Sequence, residues 1–131
     1  MSEIVFLNKD LALAFHERQL AEHGGGEGIR DEGLLESTLA RPEMHAHYGE
    51  ADLAALAAAY AFGVARNHPF LDGNKRTAFV ASQVFLRLNG QRLSADHAEA
   101  VIIFLKLAAG ELTEEQLAAW FRLHLVALRA K

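Results

Sequence analysis

The sequence predicts an all-α fold, a compact bundle of six helices, on three observations. Proline occurs only twice in 131 residues, at Pro42 and Pro69, while Ala and Leu dominate. Helix-start and helix-stop signals recur along the chain at helical spacing. One stretch, LAALAAAYAFGVA from Leu53, is apolar nearly all round, as a helix surrounded by other helices must be. The length suits one domain over 1–131 with one real core.

The helices follow in order. Asn8 caps a first helix to about His23, which Gly24-Gly25-Gly26 ends. Gly24 to Arg30 reads as an exposed glycine-rich flap with a little extended structure. Asp31 and Glu32 suit the first turn of a second helix, Pro42 marks its end, and Met44 to Glu50 reads as a loop. Asp52 caps the third helix, Leu53 to about Asn67. A fourth runs from near Asn74 to the stop pair Asn89-Gly90. Ser94 or Asp96 opens a fifth, which ends at Gly110. Thr113-Glu114-Glu115-Gln116 is a capping box for a sixth that ends near Arg129.

Composition narrows the function. A net charge of −4 argues against general nucleic-acid binding. With no cysteine, there is no thiol nucleophile, disulfide framework or cysteine-bound zinc. No stretch has the length of a membrane span and the start lacks a signal-peptide pattern, so a soluble cytoplasmic protein is expected. His45 and His47 have metal-ligand spacing but no third ligand nearby, and read as loop histidines. His16, His23, His97 and His124 read as surface or packing positions on helices. The serines and threonines include no triad-like pairing.

The chemistry concentrates in His68-Pro69-Phe70-Leu71-Asp72-Gly73-Asn74-Lys75-Arg76-Thr77, between the third and fourth helices. Asn74, Lys75 and Arg76 fall in the first turn of helix four. That turn carries partial positive charge and unpaired N–H groups, so each cation there costs about 0.3–1 kcal/mol unless an anion joins it. A helix start behind a glycine turn is a phosphate site, and Gly73 allows the backbone close approach. Asp72 reads equally as an N-cap or as the one carboxylate available to a magnesium ion. His68 reads as a helix-end cap or as a general base, its ordinary pKa of about 6.5 suiting the latter. Only a composite phosphate site accounts for the two first-turn cations.

This run resembles the signature of the Fic/Doc superfamily, in its Doc (death-on-curing) form H-x-F-x-[DN]-[AG]-N-K-R, at every fixed position. The flap, Gly33-Leu34-Leu35-Glu36 and helix three also look Doc-like, so the resemblance spans nearly the whole chain. It implies that His68 is the catalytic base, Asp72 the Mg2+ ligand, and Gly73, Asn74, Lys75 and Arg76 the ATP phosphate cradle. Phe70 would anchor the loop, and Arg66 falls where Doc-like chains often carry a basic residue. The flap, with Gly25, Gly28, Ile29 and Arg30, would dock the protein substrate.

Lys75 and Phe79 stand where AMP-transferring Fic enzymes have Gly and a second Arg. The resemblance therefore implies a protein kinase that passes the γ-phosphate to a Ser/Thr hydroxyl of a translation factor, an elongation factor being the prototype. The alternatives are an AMP transferase and a catalytically inactive helical interaction module. The [ST]-x-x-x-E-[GN] pattern of self-inhibiting Fic proteins does not occur in the sequence. Control is then expected from a Phd-like antitoxin that folds as a helix onto apolar surface of helices one to three.

Overall fold

The computed structural model describes residues 3–49 and 51–128. It contains α1 (Lys9–His23), α2 (Glu32–Tyr48), α3 (Leu53–Asn67), α4 (Asn74–Leu88), β1 (Gln91–Leu93), α5 (His97–Ala108), α6 (Glu114–His124) and β2 (Leu125–Ala127). The expected caps Asn8, Asp52 and Thr113 hold, and Asp31, expected in the first turn of α2, is its N-cap. The side chains of Asn8, Asp31, Asp52 and Thr113 each accept from a backbone N–H of the first turn that follows. Thr113 and Gln116 complete the capping box.

Helix α3 is the hub. Leu56, Ala57, Tyr60, Ala61 and Val64 are buried, and α2, α4 and α6 pack around them. Its alanines let the neighbours approach closely. At Gly63 the approach leaves no room for a side chain, since a Cβ there would lie 2.9 Å from Thr38 Cγ2 on α2. Around this hub Phe85, Phe104, Leu107, Leu117 and Phe121 close the core. No helix among the described residues is long and apolar enough to cross a membrane.

Three expectations need correction. Pro42 does not end α2, which continues to Tyr48 and stops at Gly49, whose N–H donates to His45 O. Proline forfeits a single helix bond, and burial of its ring keeps the chain helical there. The expected loop from Met44 is therefore helix, and Glu50 lies outside the described residues. Helix α6 stops at His124, because the chain turns into β2 and pairs antiparallel with β1, Arg92 opposite Val126. Arg129, the expected end, lies outside the described residues. Three-residue strands are too short to show an alternating pattern. The architecture remains all-α with this one small ribbon.

Candidate active site

The ten-residue run forms a tight loop from the C-terminus of α3 to the N-terminus of α4. Phe70 is 1% exposed and pins the loop to the core. The Asn74 side chain closes the turn: its Nδ2 donates to Phe70 O at 3.0 Å, and its Oδ1 accepts from Phe70 N at 3.1 Å. The amide is buried, and its oxygen and one of its N–H groups are engaged by Phe70. That narrows its expected role as a phosphate ligand. The sequence concealed this, since an amide at a helix start fits either use.

Gly73 adopts φ +75° and opens α4 without any side-chain cap. Its own N–H donates to Asp72 Oδ1 at 2.8 Å. Among the described residues, the N–H groups of Asn74, Lys75 and Arg76 have no acceptor. Lys75 and Arg76 are exposed, and neither forms an ion pair among the described residues. An uncapped helix start beside two unpaired cations has the charge and donors to receive an anion. His68, Leu71, Asp72, Gly73, Asn74, Lys75 and Arg76 together line a cavity of about 340 Å³ there. An adjoining apolar cleft of about 400 Å³ shares Lys75 and Arg76, and is lined by Phe79, Val80, Phe104 and Leu105 of α4 and α5, with Gln19 and His23 of α1. This cleft is formed by α1, α4 and α5.

His68 occupies the C-cap position of α3 at φ +50°, ψ +57°. It is the one non-glycine residue with positive φ among the described residues. A left-handed side-chain-bearing residue costs about 1–2 kcal/mol, and such strain gathers at functional sites. Its imidazole is exposed and bonds to none of the helix-end carbonyls, so the cap is made by its backbone alone. The ring is left without a partner among the described residues.

The Asp72 carboxylate is exposed. Bonds from the Gly73 N–H, and then from the Gly26 N–H at 3.3 Å, hold its pKa below the ordinary carboxyl value, with a smaller contribution from Arg76. It is therefore ionised at neutral pH. No cluster of three or more His, Cys, Asp or Glu that could hold a metal exists among the described residues. A hard cation at Asp72 would need oxygens from a bound phosphate chain, which is the usual magnesium arrangement. The donor set fits such an ion only together with a nucleotide.

The flap lies along the loop. Arg30 N–H donates to Pro69 O at 2.7 Å, Leu71 N–H donates to Gly28 O at 3.1 Å, and Ile29 bridges antiparallel to Phe70. The backbone N–H and C=O of Ile29 point to the other edge and have no partner among the described residues. Gly25 packs on Asp72, where a Cβ would lie 2.8 Å from Oδ2. The Arg30 guanidinium, expected to dock the protein substrate, makes its hydrogen bonds within the fold. It reaches the carbonyls of Asn67 and His68. Arg66 is also away from the loop, packed over Phe62.

His16, expected as a surface or packing position on α1, is a packing residue that also supports the loop. It is 3% exposed, its ring stacks on Phe70 at 3.8 Å between centroids and 10° between planes, and its Nε2 bonds Asp72 O at 2.8 Å. With Asp72 O as acceptor, Nε2 carries the proton. Nothing local distinguishes it from the other helical histidines, because its partners lie more than fifty residues away.

The Fic/DOC family model matches residues 6–86, which include the whole loop. The protein kinase doc of Escherichia phage P1 is 33% identical over 111 residues, covering 84% of this chain and 87% of that protein. The toxin Doc of Mycolicibacterium smegmatis is 45% identical over 75 residues, 56% of this chain and 58% of that protein. With the signature folded into one loop between α3 and α4, and two Doc proteins among its relatives, the chain belongs to the Fic/DOC family, in its Doc branch.

Proposed function

We propose that this chain is a Doc-type toxin that acts as a protein kinase, phosphorylating a Ser/Thr hydroxyl of a translation factor and so arresting protein synthesis. The reading is carried by one observation: a free, exposed imidazole shares a cavity with the uncapped start of α4, its two unpaired cations and an ionised aspartate. The names of the two relatives, a protein kinase and a toxin, point the same way.

In this reading ATP is the co-substrate. The N–H groups of the first turn, Lys75 and Arg76 hold its phosphates. Asp72 would hold Mg2+, which supplies neutralising charge. His68 takes the proton of the target hydroxyl as the hydroxyl oxygen bonds to the γ-phosphorus. The bond from that phosphorus to the β–γ bridging oxygen breaks, and ADP leaves. Phe79 favours γ- over α-transfer. It packs edge-on against Phe104 at 5.0 Å, so the position offers the phosphates no charge. The open edge at Ile29 can pair with an extended target segment. The apolar cleft of α1, α4 and α5, with Lys75 and Arg76 at its side, suits the helix of a Phd-like antitoxin.

The test supplies ATP labelled at either the α- or the γ-phosphate to the protein in a translation extract. Label from the γ position should appear on one protein, and His68→Ala and Asp72→Ala should each abolish both labelling and growth arrest. Transfer of the α label would replace the kinase by an AMP transferase. Absence of ATP binding would leave an interaction module.

A further inference from the structure

We infer that Arg30 is a positioning residue for His68, holding the proposed base in its left-handed backbone conformation. The inference rests on the reading of His68 as the base. Helix α3 ends with two carbonyls, Asn67 O and His68 O, that have no helical donor. The Arg30 guanidinium takes both, Nη2 donating to Asn67 O at 2.7 Å and Nε to His68 O at 2.6 Å. The next carbonyl, Pro69 O, accepts from the backbone N–H of Arg30 at 2.7 Å and from that of Asp31 at 3.2 Å. One residue with its neighbour therefore binds three successive carbonyls around the base.

Both ends of this brace are fixed. Asp31 caps α2 through the Leu34 N–H, which anchors the backbone of Arg30 to a helix. The guanidinium is planar, so its two N–H vectors dictate the relative orientation of the two peptides they meet. A cation at a helix C-terminus is also favoured by the helix dipole. The consequence falls on His68. Its φ of +50° is disfavoured for a residue with a side chain, and fixing the carbonyl on each side of its Cα removes the freedom to relax. Because Arg30 satisfies the helix end, the imidazole need not turn back to do so. The flap and the proposed base are thereby one mechanical unit.

The experiment compares wild type with Arg30→Ala and Arg30→Lys in steady-state phosphoryl transfer and in nitrogen-15 NMR of the histidine rings. Arg30→Ala should lower kcat by roughly 10- to 100-fold, as small misplacements of a reacting group do, with KM for ATP and for the protein target unchanged. Arg30→Lys keeps the charge but not the fork and should fall between. The His68 ring and backbone signals should move in Arg30→Ala while those of His124 stay. An increase in target KM with kcat retained would make Arg30 a docking residue and overturn the inference, as would unmoved His68 signals. The NMR comparison needs no activity. If wild type transfers no phosphate, the kinase reading fails while the brace is still decided. Should Arg30→Ala not fold, the same two measurements on Arg30→Lys decide it.

Discussion

His16 offers the sharpest test of how the loop is held. Replacing it with Ala removes the hydrogen bond to Asp72 O, the stack on Phe70 and the burial of the ring. The hydrogen bond contributes about 0.5–1.5 kcal/mol and the aromatic stack about 0.5–1.5 kcal/mol. The void left by a buried ring adds to both, and His16→Ala should cost about 2–4 kcal/mol in total. That is a large share of the roughly 5–15 kcal/mol that holds a domain together. A chain of this length should lose about 3–5 °C in Tm for each kcal/mol. Urea unfolding followed by circular dichroism measures the cost, with the slope unchanged if only the native state is affected. His16→Phe keeps a ring on Phe70 and removes only the donor, so it should cost about 1 kcal/mol. Because Asp72 and Gly73 hang from this bond, both variants should also weaken the ATP binding proposed for this loop. A cost for His16→Ala below about 0.5 kcal/mol, the level of an ordinary surface change, would refute the reasoning.

Two further perturbations probe the flap and the hub. Gly25 sits at φ +125° with no room for a Cβ against Asp72, so Gly25→Ala should lift the flap and break the Gly26 N–H bond to the carboxylate. The Asp72 pKa is depressed in the fold, so its contribution is present above the unfolded value near 4 and is lost as pH falls through the folded value. In Gly25→Ala the folded carboxyl should titrate at a higher pH, closer to its unfolded value, which a carbon-13 carboxyl titration reads directly, and an unchanged titration would contradict the contact. Gly63→Ala drives a methyl against the stiff, buried Thr38, whose Oγ1 also accepts from Asn67 Nδ2. Overpacking of about 1–3 kcal/mol should outweigh the gain of about 1 kcal/mol in helix propensity, and a raised Tm would show that α2 yields.

Much of the fold was legible because its signals are local. Asn8, Asp31, Asp52 and Thr113 each announce a helix by a bond to a residue three positions on. The apolar surround of α3 identifies the hub without reference to any partner. Pro42 misled because burial elsewhere offset the one bond it forfeits. The β1–β2 ribbon escaped because its only partner strand lies more than thirty residues away.

The sequence by itself determined the helices, their caps and the contents of the loop from His68 to Arg76, since motif, turn and charge are written in consecutive residues. Which of those groups remain free was decided only by the tertiary structure. Asn74 turned inward to Phe70, Arg30 went to the end of α3 and His16 came up beneath Asp72. A side chain's availability depends on which distant carbonyl or ring it meets, and that follows from packing of the helices against each other, not from spacing along the chain.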